Sequence, residues 1–174
     1  MLVRDIARSG LTVFLLIWII LYIQTRKKIY ILLMLSYIVI NYIQKWLKQL
    51  SITYLPYSVA SRPLGAGNNN GCSFIIINES SSITETKSGM PSGHSMLAMF
   101  IFIVTTYMIQ SSNYDNHIKL FSYVALTMFT FIVLYSRIYW ENCHTILQVL
   151  IGSIIGIFLG VVFIRIIKKY NVRL

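Results

Sequence analysis

Two histidines and two arginines, each beside a turn or a span boundary, stand out from an otherwise apolar chain of 174 residues. Pro91-Ser92-Gly93-His94 directly precedes one apolar run, and Ser136-Arg137 is followed by His144 and Gln148 just ahead of another. A Pro-Ser-Gly start places the free N–H groups and positive dipole end of a helix where they favour an anion. Arginines such as Arg62 and Arg137 offer fixed, bidentate contacts to phosphate oxygens. One imidazole can attack phosphorus while another protonates the departing oxygen, and helix-start N–H groups stabilise the developing charge. The chemistry these types serve together is phosphoryl transfer without a metal. No carboxylate or cysteine is spaced with His94 and His144 as zinc or magnesium ligation needs, so neither metal nor cofactor is expected. Glu141 and Cys143, close to His144, are the nearest rivals to that view. His117, in a short polar loop at 111–117, reads as an interfacial residue.

The elements that must bring these residues together are apolar. Hydrophobic residues make up 56% of the chain and charged ones 11%, where a soluble domain carries about 25% charge. Five apolar stretches follow, Leu11 to Ile23, Ile29 to Ile43, Met96 to Ile109, Leu120 to Tyr135 and Ile146 to Ile167. They predict an all-α integral membrane protein, a bundle of about five transmembrane helices forming one domain over residues 1–174. The first stretch, behind Arg4 and Arg8, could also serve as a signal peptide. It is followed by Gln24-Thr25-Arg26-Lys27-Lys28 rather than a small-residue cleavage site, so it is read as a mature span ending in a charged turn. Gly152, Gly156 and Gly160 recur every four residues in the last span, on one helix face that a neighbouring backbone can approach.

A formal charge of +10 on such a chain orients spans and does not point to nucleic acid. Arg26, Lys27, Lys28, Lys119 and the tail cations Arg165, Lys168, Lys169 and Arg173 fall on one side, which the positive-inside rule makes cytoplasmic. The polar segments from Gln44 to Ser95 and from Ser136 to Thr145 then face the exoplasm or lumen. For a eukaryotic or viral chain, that suits an endoplasmic reticulum-like membrane. On that same side lie the glycosylation pattern Asn78-Glu79-Ser80 and the two cysteines, Cys72 and Cys143, either joined as a disulfide or free. His94, Arg62, Arg137 and His144 all emerge there, so the site is expected at one membrane surface.

Over roughly residues 45–165 the sequence resembles the type 2 phosphatidate phosphatase superfamily. Its pattern is a Lys six residues before Arg-Pro, then Pro-Ser-Gly-His, then Ser-Arg, five residues, His, three residues and Asp. The resemblance implies that His144 is a nucleophile forming a phosphohistidine and that His94 is the acid on the leaving group. Ser92, the Gly93 N–H, Arg62 and Arg137 would hold the phosphate. Three positions depart from the pattern. Leu55 stands where the family has its lysine, leaving Lys48, Lys45 or Lys87 to supply that contact, and Lys48 does so if Ile52 to Ser58 is an insertion. Six residues rather than five separate Arg137 from His144, and Gln148 replaces the final Asp. A Gln carbonyl orients an imidazole but brings no charge. Gln148 and the neighbouring His144-Thr145 are most similar to the dolichyl diphosphate phosphatase branch. The implied activity is metal-independent hydrolysis of a lipid phosphate or a polyprenyl or dolichyl-type diphosphate, with a membrane lipid as partner. The alternative is a catalytically weak or inactive relative acting as a lipid-binding membrane scaffold. The sequence carries no signal for an oligomeric state.

Overall fold

In the computed structural model, residues 2–63, 66, 72 and 88–172 are described, with side chains from residue 10 onward. Lys87 and the Asn78-Glu79-Ser80 pattern lie outside them. Among these residues six α-helices follow in order: α1 (Leu2–Thr25), α2 (Lys28–Tyr54), the short α3 (Tyr57–Ala60), α4 (Gly93–Gln110), α5 (Asn116–Tyr135) and α6 (Ile146–Lys169). A π-helical turn, Ser136–Trp140, extends α5. Among the described residues there is no strand, only an isolated bridge between Ser61 and Ser88.

Four of these elements, α2, α4, α5 with its π turn, and α6, are long and apolar enough to cross a membrane. In α1 the residues whose side chains are described, Gly10–Thr25, form a shorter apolar helix. Helices satisfy their own backbone hydrogen bonds, which is why they can stand in lipid. Leu16, Ile20, Val39, Phe121, Phe131, Ile154 and Phe158 point outward, while Leu33, Leu97, Phe100, Ile101 and Val133 form the interior. The protein is thus an all-α, multi-pass integral membrane protein.

The polar segment expected to begin at Gln44 starts later. α2 runs on to Tyr54, because Gln44, Lys45, Lys48 and Gln49 favour helix, and it stops where Pro56 restricts the preceding residue. The second polar segment is likewise helical in its first half. Its π turn closes with the Glu141 N–H on the Ser136 carbonyl at 3.0 Å, an i to i+5 bond. One extra residue is accommodated in a helix by such a bulge. That is how the six-residue spacing from Arg137 to His144 is absorbed.

The central packing is α4 on α6, and it runs through the glycine face. A Cβ at Gly152 would strike the Ser92 carbonyl, one at Gly156 the Met96 carbonyl, and one at Gly160 the Ile103 side chain. With no side chains there, the α4 backbone lies directly against α6, as small-residue stripes permit. The Ser92 N–H also donates to the Gln148 carbonyl at 3.1 Å, locking the two helix starts together.

Gly156→Val puts a branched side chain against a backbone carbonyl that cannot swing away. Overpacking of this kind costs on the order of 1–3 kcal/mol. We expect a lower thermal unfolding midpoint in detergent and reduced activity; an unchanged midpoint would mean that α4 and α6 do not meet along this face.

Candidate active site

Most of the described site residues sit at element ends, and the ends converge. Ser92 is the N-cap of α4, and its hydroxyl accepts from the Ser95 hydroxyl at 2.8 Å. Its own proton remains a donor to give. Gly93 and His94 open the helix, so their N–H groups are among those that lack an intrahelical acceptor. A Cβ at Gly93 would collide with the Gln44 carboxamide, so α2 also reaches this point.

His144 is buried, 2% exposed, and its ring is held from one side. Nδ1 lies 2.9 Å from the Gly89 carbonyl and 3.3 Å from Gln148 Oε1. Both partners are acceptors, so Nδ1 carries the proton and Nε2 keeps its lone pair. The Gly89 carbonyl is itself fixed. Its N–H donates to the Ala60 carbonyl at 2.7 Å, and Ser51 of α2 donates to the next carbonyl, that of Met90, at 2.7 Å. Burial pushes the His144 imidazole well below its ordinary value, and the charges of Lys48, Arg62 and Arg137 push in the same direction, against a hydrogen bond to Gln148 that raises it. A neutral ring circled by three cations is a base awaiting an anion.

Gln148 is fully buried and ties three segments together. Its Oε1 accepts from the Thr145 N–H at 3.2 Å, while its own N–H is capped by the Thr145 hydroxyl at 3.3 Å, the two halves of a capping box at the start of α6. Its Nε2 donates to the carbonyls of Val59 and Ser61, at 3.0 and 2.6 Å. Those residues immediately precede Arg62. The amide therefore does what an aspartate could not: it donates to the arginine-bearing segment and accepts from the imidazole.

Arg137 is completely buried on the π turn. Its Nη1 stands 3.4 and 3.3 Å from the two ring nitrogens of His94, nearly equidistant and so in line with neither lone pair. Nε points to the Ser136 hydroxyl at 3.4 Å, and Nη2 forms an ion pair with Glu141. The Arg137 carbonyl accepts the N–H groups of Cys143 and His144, at 3.0 and 3.2 Å, which orients the loop between π turn and α6. Arg62 has a buried Nε with no hydrogen-bond partner, and burial lowers its affinity for its proton. A buried, orphaned guanidinium donor is the feature an incoming phosphate oxygen would satisfy.

Leu55, the position corresponding to the family lysine, is exposed at the C-cap of α2, whereas Lys48 lies close enough to bias His144. Lys48 is one helical turn from Gln44 and three residues before Ser51, on one face of α2. Gln44 and Ser51 escaped the sequence reading. The signal was present in a polar stripe at i, i+4 and i+7 of an apolar helix. Cys72 and Cys143 are joined as a disulfide, with Cα atoms 5.6 Å apart. Cys143 is thus oxidised, and Glu141 is paired to Arg137.

A helical membrane bundle that gathers two buried histidines, two arginines and a helix N-terminus at one end defines a phosphate-handling membrane protein. The family model described as the PAP2 superfamily matches residues 29–171, and the chain belongs to that superfamily. Its members are phosphatases, which makes a phosphatase-type function the general assignment. No curated protein and no solved structure matched the chain.

Two outcomes check this geometry. Gln148→Glu, nearly isosteric, turns an amide donor into a carboxylate facing the Val59 and Ser61 carbonyls, and each buried carbonyl left unpaired costs about 1–3 kcal/mol. Restoring a family-like acid here should therefore lower turnover at least about tenfold; parental or higher turnover in a phosphate-release assay would contradict it. The second concerns pH. The low-lying His144 stays neutral below the ordinary imidazole value of about 6.5, so the acid limb of kcat/KM, which reports the free enzyme, lies below that pH. Lys48→Gln removes one of the charges that depress it and should move the limb upward on the same substrate; a limb that stays put or moves down sinks the assignment.

Proposed function

We propose that the protein hydrolyses the phosphate ester or diphosphate of an amphiphile, a polyprenyl diphosphate first among them, through a phosphohistidine on His144. The observation that carries this is the His144 ring, with Nδ1 committed to the Gly89 carbonyl and Gln148 and with Lys48, Arg62 and Arg137 acting on it. In the first step Nε2 of His144 attacks phosphorus as the bond to the leaving oxygen breaks. His94 gives a proton to that oxygen. Water then attacks the phosphohistidine, His94 takes its proton, and the N–P bond breaks to release orthophosphate. Arg62, Arg137, Lys48, the Ser92 hydroxyl and the Gly93 N–H hold the phosphate oxygens, where charge builds in a water-poor site. Gln148 is the orienting residue. The chemistry calls on no cofactor or metal.

An amphiphilic substrate is supported by where the residues lie. Further along α2, α4 and α6, an apolar groove of about 270 Å³ opens between Leu35, Val39, Ile40, Ile43, Leu159 and Ile166, with Phe100 and Phe163 also lining it. A headgroup at the helix ends leaves its hydrocarbon among such surfaces. The Cys72–Cys143 disulfide, adjacent to His144, supports an exoplasmic or lumenal site, since disulfides persist in oxidising compartments. The C-terminal cations then lie in the cytoplasm.

The test is phosphate release by purified protein in detergent with chelator, from phosphatidate, lysophosphatidate, a polyprenyl phosphate and a polyprenyl diphosphate. His144→Ala should abolish release from all of them, and acid-labile label trapped on the parent should be absent from the variant. Turnover surviving in His144→Ala removes the phosphohistidine; no release from any substrate by the parent favours a lipid-binding scaffold. His94→Ala should lose about 10²–10⁴-fold on a monoester, the usual worth of general acid catalysis, and less on a diphosphate, whose leaving phosphate needs less help.

A further inference from the structure

One charged group at the site has no part in the transfer steps. Of five acidic residues in the chain, Glu141 is the one the described structure places beside the catalytic groups, and its side chain is buried against Arg137. A carboxylate is an unexpected neighbour for a phosphate dianion. It repels the substrate and occupies an arginine that the substrate needs.

We propose that Glu141 is a positioning residue, the resident counter-charge that holds the Arg137 guanidinium in the empty site and gives it up to the phosphate. This rests on Arg137 being a phosphate contact. Arg137 is fully buried, and a guanidinium taken out of water requires an opposite charge. Its donors are laid out around that need, with Nε toward Ser136, Nη1 across the His94 ring and Nη2 on Glu141. The π turn sets the partner's place, because the i to i+5 bond from Glu141 to Ser136 brings the carboxylate back over Arg137. The additional residue between Arg137 and His144 and the counter-charge are therefore parts of one local structure.

The consequence has a definite sign. Phosphate must displace a carboxylate to reach Arg137, so every phosphate, product included, binds less tightly than the cations alone would allow. Weak product binding favours release of orthophosphate from a deep, cation-lined site. Removing the charge reverses this, and anions should bind tighter while turnover falls.

The experiment measures orthophosphate binding to the detergent-solubilised full chain by calorimetry and by the phosphate-dependent rise in unfolding temperature, neither of which needs turnover. Glu141→Gln should bind orthophosphate about tenfold or more tightly than the parent, with a lower kcat and a lower KM. Glu141→Asp, which keeps the charge but shortens the reach, should fall between the two. A purely structural role for Glu141 would lower the unfolding temperature and kcat without tightening phosphate, and that outcome overturns the proposal. If Glu141→Gln does not fold, Glu141→Asp decides, and phosphate binding no tighter than in the parent overturns it equally. Arg137→Ala separates the two readings. Unchanged orthophosphate binding in that variant removes Arg137 from the phosphate site and overturns the counter-charge, whereas failure of the proposed function is read separately, as turnover surviving in His144→Ala.

Discussion

The close contact of α4 on α6 is the constraint on which the rest depends. Three glycines on α6 let the α4 backbone approach until the Ser92 and Met96 carbonyls occupy space a side chain would fill. At that separation the Ser92 N–H reaches the Gln148 carbonyl, and the N-terminus of α4 comes level with the N-terminus of α6. The anion-binding end of one helix is thereby set beside the histidine that precedes the other. In lipid, where apolar side chains gain little by meeting each other, such backbone proximity is a main source of helix association. The same contact that stabilises the bundle thus assembles its chemistry.

Gln148 carries that alignment sideways to the third arm of the site. Its amide bonds to Val59 and Ser61 position the segment entering Arg62, while its oxygen holds Thr145 and His144. Read from the sequence, glutamine for aspartate looks like a loss of charge and of basicity at the nucleophile. In three dimensions the Gly89 carbonyl already receives the imidazole proton at 2.9 Å, shorter than the 3.3 Å to Gln148. The tautomer is therefore set chiefly by backbone, and the position is released to do a job that requires N–H donors. A Cβ on Gly89 would run into that same amide, which ties the glycine and the glutamine to one another.

How much of this was legible follows from the range of the interactions. Pro91 to His94, Ser136-Arg137 and His144 announce themselves because their chemistry is written within a few residues, and the glycine stripe is visible because helical periodicity is local. The apolar stretches located the main helices, though not the extension of α2 to Tyr54, where polar residues still favour helix. What stayed hidden depends on partners distant in sequence. The nearness of Lys48 to His144 is a tertiary feature, carried by the face of α2 that also brings Gln44 and Ser51 to the start of α4. The joining of Cys72 to Cys143, 71 residues apart, is invisible to composition. Spacing likewise reveals the extra residue between Arg137 and His144 but not the π turn that takes it up.

Charge balance links these local solutions. The described site gathers Lys48, Arg62 and Arg137 around a buried imidazole, an arrangement that favours an anion but, when empty, leaves like charges facing one another out of water. Keeping His144 neutral relieves part of that repulsion. The Glu141 ion pair relieves another part at Arg137, and the Nε of Arg62 remains a buried donor with no hydrogen-bond partner. Family members with an aspartate behind the histidine place a negative charge beside the nucleophile itself. In this chain the carboxylate stands beside the arginine and the amide stands beside the histidine.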